Sequence, residues 1–263
     1  MLSKPMRLLN LAPPHLFRSI DFILTDMDET LTYQGRLAAA TYMALEQLRN
    51  VGVKVIPVTA APAGWCDQMA RMWPVESVIG ENGGLFFRRN GVHDVQRIYW
   101  HDEAEQNQIF ARLAAAKLQI MAAVPKAEEA DDQPFRLTSV AFKRSRNTAL
   151  DDQILAAMRA NGLDATINNL WVLGWIGGYD KLKAASRIMQ QVYGVNVEEQ
   201  KTRILYAGDS TNDAPMFSFF NHTVGVSTVL DYEAQIPKMP TWITDGPGGA
   251  GFVEIAEAVI NAK

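Results

Sequence analysis

The stretch Phe22-Ile-Leu-Thr-Asp26-Met-Asp28-Glu-Thr30 joins a short apolar run to a cluster of acidic residues. The apolar run predicts a buried strand, because short runs of this kind form inner strands when helices and strands alternate along a chain. The acidic cluster follows at the carboxyl end of that strand, where open parallel sheets bind their ligands. The stretch therefore predicts both an α/β fold and, at Asp26 and Asp28, the position of its site.

Helices and strands alternate on both sides of a central block of sequence, as a parallel sheet requires. The predicted helices cover 37–50, 63–72, 181–193, 214–220 and 252–261, and the predicted strands cover 22–25, 53–58, 75–79, 203–207, 224–226 and 241–244. The sequence thus predicts an α/β protein with a Rossmann-like parallel sheet.

The central block interrupts this pattern. It begins with an apolar segment and an Asn90-Gly91 pair, which favours a hairpin. A long amphipathic helix over 102–123 and a strand-helix-strand pattern over 135–176 follow. We therefore predict a discontinuous core over 1–83 and 179–263 with an inserted α+β domain over 84–178.

Composition narrows the class of protein. The 263 residues carry a formal net charge of −4, which gives no basic surface for nucleic acid. The apolar runs are too short to cross a bilayer. The single cysteine cannot form an internal disulfide and suits a reducing compartment, so a cytoplasmic location is expected.

Reactive side chains follow three of the predicted core strands. Asp26 with Asp28, Thr59 and Asp209 each stand where a strand ends, so they should converge on one site. Lys181 begins a predicted helix, where its ammonium group and the helix N-terminus could both face an anion.

Several carboxylates with few nitrogen ligands favour a hard cation such as Mg²⁺. The four histidines show no paired spacing, which argues against zinc. A cation, a lysine and a hydroxyl group would together position a phosphoryl group. Asp26 could then attack phosphorus, and Asp28 could protonate the leaving oxygen and later activate water.

Two motifs make a specific family resemblance. The segment Asp26-Met-Asp28-Glu-Thr30 resembles the DxDxT motif of the haloacid dehalogenase (HAD) superfamily, and 208–213 resembles its GDxxND motif. Thr59 matches the second motif and Lys181 the third. The large insertion between them resembles the members with a C2-type cap, subclass IIB, which contains sucrose-phosphate and mannosyl-phosphoglycerate phosphatases.

The resemblance implies a role for each matching residue. Asp26 would be the nucleophile and a metal ligand, while Asp28 would be the general acid/base and would offer its backbone carbonyl to the metal. Thr59 and Lys181 would hold the phosphoryl oxygens.

The resemblance also completes the metal site. Asp209 would ligate Mg²⁺, and Asp213 would support the metal through water or by orienting the lysine. Glu81, Asn82 and Asn212 are candidate substrate contacts, since they stand at or near the same edge of the predicted sheet.

Two positions depart from the family pattern. The second motif often reads Thr-Gly-Arg, whereas Ala60 and Ala61 follow Thr59 here. The third often has glycine after its lysine, whereas Leu182 follows here, so Lys183 competes with Lys181.

Two groups of residues, in the insertion and at its end, have two possible roles each. Basic side chains could meet a second anionic group on the substrate, although a solvated sheet face is favoured; they are Arg136, Lys143, Arg144 and Arg146. Aromatic side chains could line a substrate pocket, although packing between cap and core is favoured; they are Trp171, Trp175 and Tyr179.

The leading hypothesis is a Mg²⁺-dependent phosphatase acting on a small phosphomonoester, with a sugar phosphate favoured by the resemblance. A phosphotransferase or mutase would use the same Asp26, and a non-catalytic small-molecule-binding protein is a third possibility. Asp28 argues against a pure binder, which needs no acid/base. The expected partner is a small phosphorylated metabolite, with neither nucleic acid nor membrane, and the sequence leaves the oligomeric state open.

Overall fold

The computed structural model describes residues 7–145, 147–168 and 170–263. The strands are β1 (Arg7–Leu8), β2 (Phe22–Thr25), β3 (Lys54–Pro57), β4 (Val78–Gly80), β5 (Leu85–Asn90), β6 (Asp94–Tyr99), β7 (Ser139–Lys143), β8 (Asp164–Ile167), β9 (Trp171–Trp175), β10 (Ile204–Gly208), β11 (His222–Gly225) and β12 (Trp242–Ile243). The α-helices are α1 (Ala39–Asn50), α2 (Ala63–Met72), α3 (Glu103–Ala123), α4 (Thr148–Ala160), α5 (Lys181–Tyr193), α6 (Ala214–Phe219) and α7 (Gly248–Ile260). The predicted α/β class is confirmed.

A six-stranded parallel sheet forms the core, in the order β1-β12-β11-β10-β2-β3. Strands β2 and β10 lie side by side, with Thr25 opposite Ala207. The backbone N–H of Asp26 continues this pairing by donating to the carbonyl of Ala207 at 2.9 Å. The two acidic motifs therefore leave the sheet next to each other at its carboxyl edge.

Each face of this sheet has its own layer of helices, because successive side chains of a strand point to opposite faces. Ile23 of β2 packs in the cluster that contains Leu45 of α1 and Phe252 of α7. Its neighbour Leu24 packs in the cluster that contains Ala185 of α5 and Phe217 of α6. Burial on both faces fixes the register of β2, since a slip of one residue would exchange the two layers.

The insertion contains a second, antiparallel sheet of three strands in the order β7-β9-β8. Helices α3 and α4 pack on it through one apolar cluster that includes Ile120, Phe142 and Ile154. The sequence does not predict strand β8, because it is only four residues long and none of its side chains is fully buried. Among the described residues, no helix is long and apolar enough to cross a membrane.

The β5-β6 hairpin pairs with β4 in a third sheet, with Phe87 opposite Val78. Phe87 packs in one cluster with Cys66 of α2. The predicted third core strand, over 75–79, thus corresponds to β4, which meets the parallel sheet at a bridge between Val58 and Ile79. The hairpin associates with the core rather than with the β7-β9-β8 sheet. The domain boundary at 84 stays a prediction, and these pairings favour a boundary further along the chain.

Candidate active site

Asp26 is held by contacts at both of its carboxylate oxygens. It directly follows β2 and is buried. Its Oδ1 accepts a hydrogen bond from the backbone N–H of Met27 at 2.7 Å, and its Oδ2 lies 2.8 Å from Nζ of Lys181. The predicted nucleophile thus has a fixed orientation before any ligand binds.

Lys181, rather than Lys183, belongs to this cluster. Lys181 is the first residue of α5, and its side chain is only 3% exposed. Its ammonium group bridges Asp26 and Asp213, 2.9 Å from Oδ1 of Asp213. The side chain of Lys183 is 60% exposed and donates to the carbonyl of Gly178 at 2.6 Å. Of the two lysines that the sequence leaves in competition, Lys181 is therefore the one beside Asp26, and its contact with a phosphoryl group stays a prediction.

Asp213 organises the loop that follows β10. Its Oδ2 accepts from the backbone N–H groups of Asp209 and Ser210 at 3.0 and 3.2 Å, and its Oδ1 accepts from the hydroxyl of Tyr206. A Cβ atom at Gly208 would lie 2.5 Å from the same carboxylate, so this turn requires glycine. Asp213 therefore fixes both the loop and Lys181.

Three buried carboxylates meet beside this loop. Asp26, Asp209 and Asp213 each offer an oxygen atom within 4.8 Å of the others. Thr30 fixes Asp209 by donating to its Oδ1 at 3.0 Å. With Lys181, the fully ionised group carries a formal charge of −2. An all-oxygen set with this charge fits a divalent hard cation such as Mg²⁺.

Burial shifts the pKa values of this cluster. Burial raises the pKa of Asp26 to about 7, against the opposing charge of Lys181. Burial, together with the charge of Asp213, raises the pKa of Asp209 well above its usual range. Burial alone would lower the pKa of Lys181, but the charges of Asp213 and Asp26 outweigh it and raise that pKa. A bound cation would favour the ionised carboxylates.

Asp28 stands at the boundary between this cluster and an open pocket. The residue is half-buried, and burial raises the pKa of its carboxylate to about 6. The pocket has a volume of about 280 Å³ and lies between core and insertion. Its lining consists of Asp28, Ala60, Ala61, Pro62, Trp65, Asp131, Asp132, Phe135, Asn168, Leu170 and Trp171. The metal contact expected from the backbone carbonyl of Asp28 stays a prediction.

Thr59 and Asn82 lie close together at the edge of the sheet where Asp26 stands. The N–H of Val58 donates to the carbonyl of Thr25 at 2.7 Å, which aligns the two strand ends. The carbonyl of Thr59 accepts from the backbone N–H of Asn82 at 3.0 Å. The Nδ2 atom of Asn82 is buried and has no hydrogen-bond partner among the described residues. The hydroxyl of Thr59 accepts from the backbone N–H of Ala61 at 3.0 Å, which leaves its proton to donate. The phosphate contact of Thr59 and the substrate contact of Asn82 stay predictions.

Asn212, the third candidate contact, is half-buried in the loop after β10. Its Oδ1 accepts from the hydroxyl of Ser210 at 2.7 Å. This bond orients the side-chain amide, and a contact with substrate stays a prediction.

The prediction that Glu81 contacts substrate is wrong. Its side chain is fully buried, and its carboxylate accepts five hydrogen bonds. The donors are the backbone N–H groups of Ala63 (3.0 Å), Leu137 (2.9 Å) and Thr138 (2.8 Å) and the hydroxyls of Thr138 (2.9 Å) and Ser139 (2.7 Å). Glu81 is therefore a link between the core and the insertion.

The favoured reading of the basic residues is wrong for Arg136. Its guanidinium group is buried and donates to Asp132 at 2.9 and 2.7 Å, and Nη1 donates to the carbonyl of Ala60 at 3.0 Å. Arg136 thus links the insertion to the loop after Thr59. Lys143 and Arg144 are partly exposed and pair with Asp131 and Asp151, and Arg146 lies outside the described residues.

The aromatic residues of β9 and Tyr179, which follows that strand, divide between the two alternatives. Trp175 stacks on Tyr179 with ring centroids 5.8 Å apart and donates to the carbonyl of Tyr179 at 2.9 Å. The hydroxyl of Tyr179 donates to the carbonyl of Thr138 at 3.2 Å. These two residues pack as predicted, whereas Trp171 lines the pocket.

Solved structures resemble this chain over nearly its whole length. No protein-family profile and no curated protein sequence matches it. A haloacid dehalogenase-like hydrolase from Bacteroides thetaiotaomicron superposes with a TM-score of 0.69 at 12% identity, covering 91% of this chain and 99% of its own. Protein 0175 of Thermoplasma acidophilum gives 0.67 at 19% identity, covering 93% and 99%. The Synechocystis sucrose-phosphatase, solved with sucrose and phosphate, gives 0.64 at 13% identity, covering 91% and 97%.

The chain therefore has the fold of the HAD-like hydrolases, in which a Rossmann-like core carries an inserted cap. The fold expected from the DxDxT and GDxxND motifs is confirmed. At these identities the likeness concerns the fold, so the chemistry must be argued from the residues themselves.

Proposed function

We propose that this protein is a Mg²⁺-dependent phosphatase that hydrolyses a small phosphomonoester through a phospho-aspartate on Asp26. One observation carries the proposal. Asp26 is fixed by Lys181 inside a cluster of three buried carboxylates, and Asp28, two residues further on, faces a pocket. A carboxylate nucleophile, a cation site and a separate acid/base are the groups that this reaction needs.

The metal would be held by the carboxylates of Asp26, Asp209 and Asp213 with the backbone carbonyl of Asp28. When bound, Mg²⁺ supplies charge neutralisation to the phosphoryl oxygens, which reduces their repulsion of the attacking carboxylate. The residues of the chain do the rest: Lys181 offers a second positive charge, and Thr59 and Asn82 offer neutral donors.

In the first half-reaction, a carboxylate oxygen of Asp26 forms a bond to phosphorus while the bond from phosphorus to the leaving oxygen breaks. Asp28 donates its proton to that oxygen, so a neutral alcohol departs. Burial raises the pKa of Asp28 to about 6, which lets it hold a proton closer to neutral pH than an exposed aspartate would.

In the second half-reaction, Asp28 acts as a base. Its carboxylate takes a proton from water as the water oxygen attacks phosphorus, and the bond between phosphorus and Asp26 breaks. Inorganic phosphate is released, and the carboxylate of Asp26 is restored for another turnover.

A sugar phosphate is the favoured class of substrate. The names of two structural neighbours, sucrose-phosphatase and trehalose-6-phosphate phosphatase, support this choice. The cap supports a small substrate as well, since it covers the pocket beside Asp28 from one side. Transfer of the phosphoryl group to a second alcohol, as in a phosphotransferase or mutase, would use the same first half-reaction.

The test measures phosphate release from acetyl phosphate and from a panel of phosphorylated metabolites, with Mg²⁺ and with a chelator. We expect Mg²⁺-dependent turnover and a phosphorylated protein, seen by intact mass after acid quenching. Asp26→Asn should abolish both, and Asp28→Asn should slow turnover of alkyl esters, while Asp152→Asn, an exposed change on α4, should change neither.

Three outcomes would contradict the proposal: turnover without metal, full activity in Asp26→Asn, or no turnover across the panel. Turnover that requires an added acceptor alcohol would favour the phosphotransferase. Binding of phosphorylated ligands without turnover would favour a binding protein.

A further inference from the structure

The pocket beside Asp28 receives the part of the substrate that leaves as an alcohol. Of the proposed nucleophile, Asp26, and the proposed acid/base, Asp28, only Asp28 lines this pocket. Asp28 must also reach the leaving oxygen. The phosphoryl group therefore belongs at Asp26, and the remainder of the substrate extends into the pocket. This inference rests on the proposed function.

Aromatic side chains from three separate segments form the pocket walls. Trp65 comes from the first turn of α2, Phe135 from the cap, and Trp171 from the start of β9. Trp65 and Phe135 are 52% and 54% exposed and line the same pocket, so together they form an exposed apolar patch rather than scattered surface residues. Phe135 rests against Gly64, where an added Cβ atom would lie 3.2 Å from its ring. The three rings are therefore placed to contact a ligand rather than to fill the core.

The rest of the lining consists of aliphatic side chains, three aspartates and the amide of Asn168. Ala60 and Ala61 border Asp28, and Asp131 and Asp132 stand on the cap side. The cations next to these acidic residues are already bound: Lys143 lies 2.8 Å from Asp131, and the buried Arg136 donates to Asp132. Among the described residues that line the pocket, a second anionic group on the substrate would thus meet carboxylates rather than a free cation.

The pocket has a volume of about 280 Å³, which is enough for a single substituted ring.

We propose that the alcohol part of the substrate is one uncharged ring with an apolar face, stacked between Trp65, Phe135 and Trp171. A pyranose and an aryl group share this chemistry. Acyclic phosphoesters lack the face, and bisphosphates carry a second anion, so both should bind less tightly.

The experiment measures binding in the full-length Asp26→Asn protein with Mg²⁺, so that turnover plays no part. The ligands are glucose 6-phosphate, phenyl phosphate, glycerol 3-phosphate and glucose 1,6-bisphosphate. We expect at least one of the two ring monophosphates to bind about five- to tenfold more tightly than glycerol 3-phosphate, as stacking energies of aromatic pairs imply. Glucose 1,6-bisphosphate should bind more weakly than glucose 6-phosphate. The first two ligands distinguish a carbohydrate from an aryl substrate.

Phe135→Ala should remove about five- to tenfold of the affinity for the ring ligand. Phe135→Leu keeps apolar volume without the aromatic face and should lose part of this affinity. The matched control is Phe110→Ala on α3, since Phe110 is also in the cap and is 57% exposed, but lies outside this pocket. Thermal unfolding of each variant checks that it folds.

Equal affinity for glycerol 3-phosphate, a bisphosphate that binds as tightly, or an unchanged affinity in Phe135→Ala would overturn the inference. Acetyl phosphate, whose leaving group is too small to reach the aromatic walls, separates the two proposals. If the wild-type protein hydrolyses it while ring ligands show no preference, the phosphatase stands and the ring proposal fails. If ring ligands bind as expected but no phosphoester is hydrolysed, the phosphatase fails instead.

Discussion

The carboxylate of Glu81 accepts hydrogen bonds from both the backbone N–H and the hydroxyl of Thr138, at 2.8 and 2.9 Å. Glu81 follows β4, and Thr138 directly precedes β7 of the cap sheet. The contact therefore fastens the cap to the core close to the pocket. Because the carboxylate is fully buried, its hydrogen bonds also compensate the cost of removing a charge from water.

Glu81→Gln should destabilise the protein by about 2–3 kcal/mol, because an amide NH₂ group would replace an oxygen that now faces donors. Denaturant unfolding with and without the substitution measures this. Glu233→Gln, an exposed change, is the control and should lie within about 0.5 kcal/mol of the wild type. An equal stability of the two variants would show that the link between core and cap contributes nothing.

The sequence predicted the centre of the site better than its surroundings. Asp26 and Asp209 could be placed together because both follow strands, and parallel strands present their carboxyl ends at one edge. The links that Glu81 and Arg136 make between core and cap could not be predicted, because the partners in those links lie far away along the chain: Thr138 for Glu81, and Ala60 for Arg136. Local pattern carries no information about such pairings, which depend on how the cap packs on the core.

The sequence predicts the β5-β6 hairpin but not the sheet that it joins, and the reason is physical. The Asn90-Gly91 pair predicts the turn, and β5 and β6 form as expected. Pattern alone does not say which third strand a hairpin joins, because Leu85 and Phe87 would be equally apolar against either sheet. Pairing of Phe87 with Val78 decides it.

Lys181→Met should reduce the rate constant kcat by at least about 100-fold, because preorganised charge is among the largest contributions to catalysis. The substitution leaves Asp26 and Asp213 without the ammonium group that now lies 2.8 and 2.9 Å from them. Lys183→Met is a matched control two residues away, and we expect its kcat to equal that of the wild type. The assay is acetyl phosphate hydrolysis at saturating Mg²⁺. A similar loss in both variants would contradict the role given to Lys181.

Mg²⁺ should stabilise the protein independently of any activity. At a concentration one hundred times its dissociation constant, a ligand that binds only the folded state adds about 2.7 kcal/mol to the free energy of unfolding. Thermal unfolding with Mg²⁺ and with a chelator measures the gain. Asp209→Asn should lose most of it, whereas Asp152→Asn should keep it. If Mg²⁺ leaves the melting temperature of the wild-type protein unchanged, Asp26, Asp209 and Asp213 do not form a metal site.

Without metal, the effect of Asp209→Asn on stability should have the opposite sign. Asp209 stands beside Asp213 and Asp26, and repulsion from both contributes to its raised pKa, after burial. Removal of its charge therefore relieves repulsion when no cation is present. With a chelator, Asp209→Asn should be at least as stable as the wild type, and the order should reverse when Mg²⁺ is added.

Cys66 offers a probe of how firmly α2 packs between the site and the hairpin. It is the only cysteine, it is fully buried, and a Cβ atom at Gly80 of β4 would collide with its sulfur. Burial also raises the pKa of its thiol well above the usual range, so little thiolate is present at neutral pH. A thiol-specific reagent should therefore label the native protein only as fast as the structure opens.

Glu81→Gln should accelerate that labelling. Glu81 accepts from the backbone N–H of Ala63 at 3.0 Å, which fixes the start of α2 three residues before Cys66. Weakening this bond should raise the population of open states and hence the labelling rate, while Glu233→Gln should not. Rapid labelling of the wild-type protein would show that α2 opens easily, and an unchanged rate in Glu81→Gln would show that Glu81 secures the cap without securing the helix.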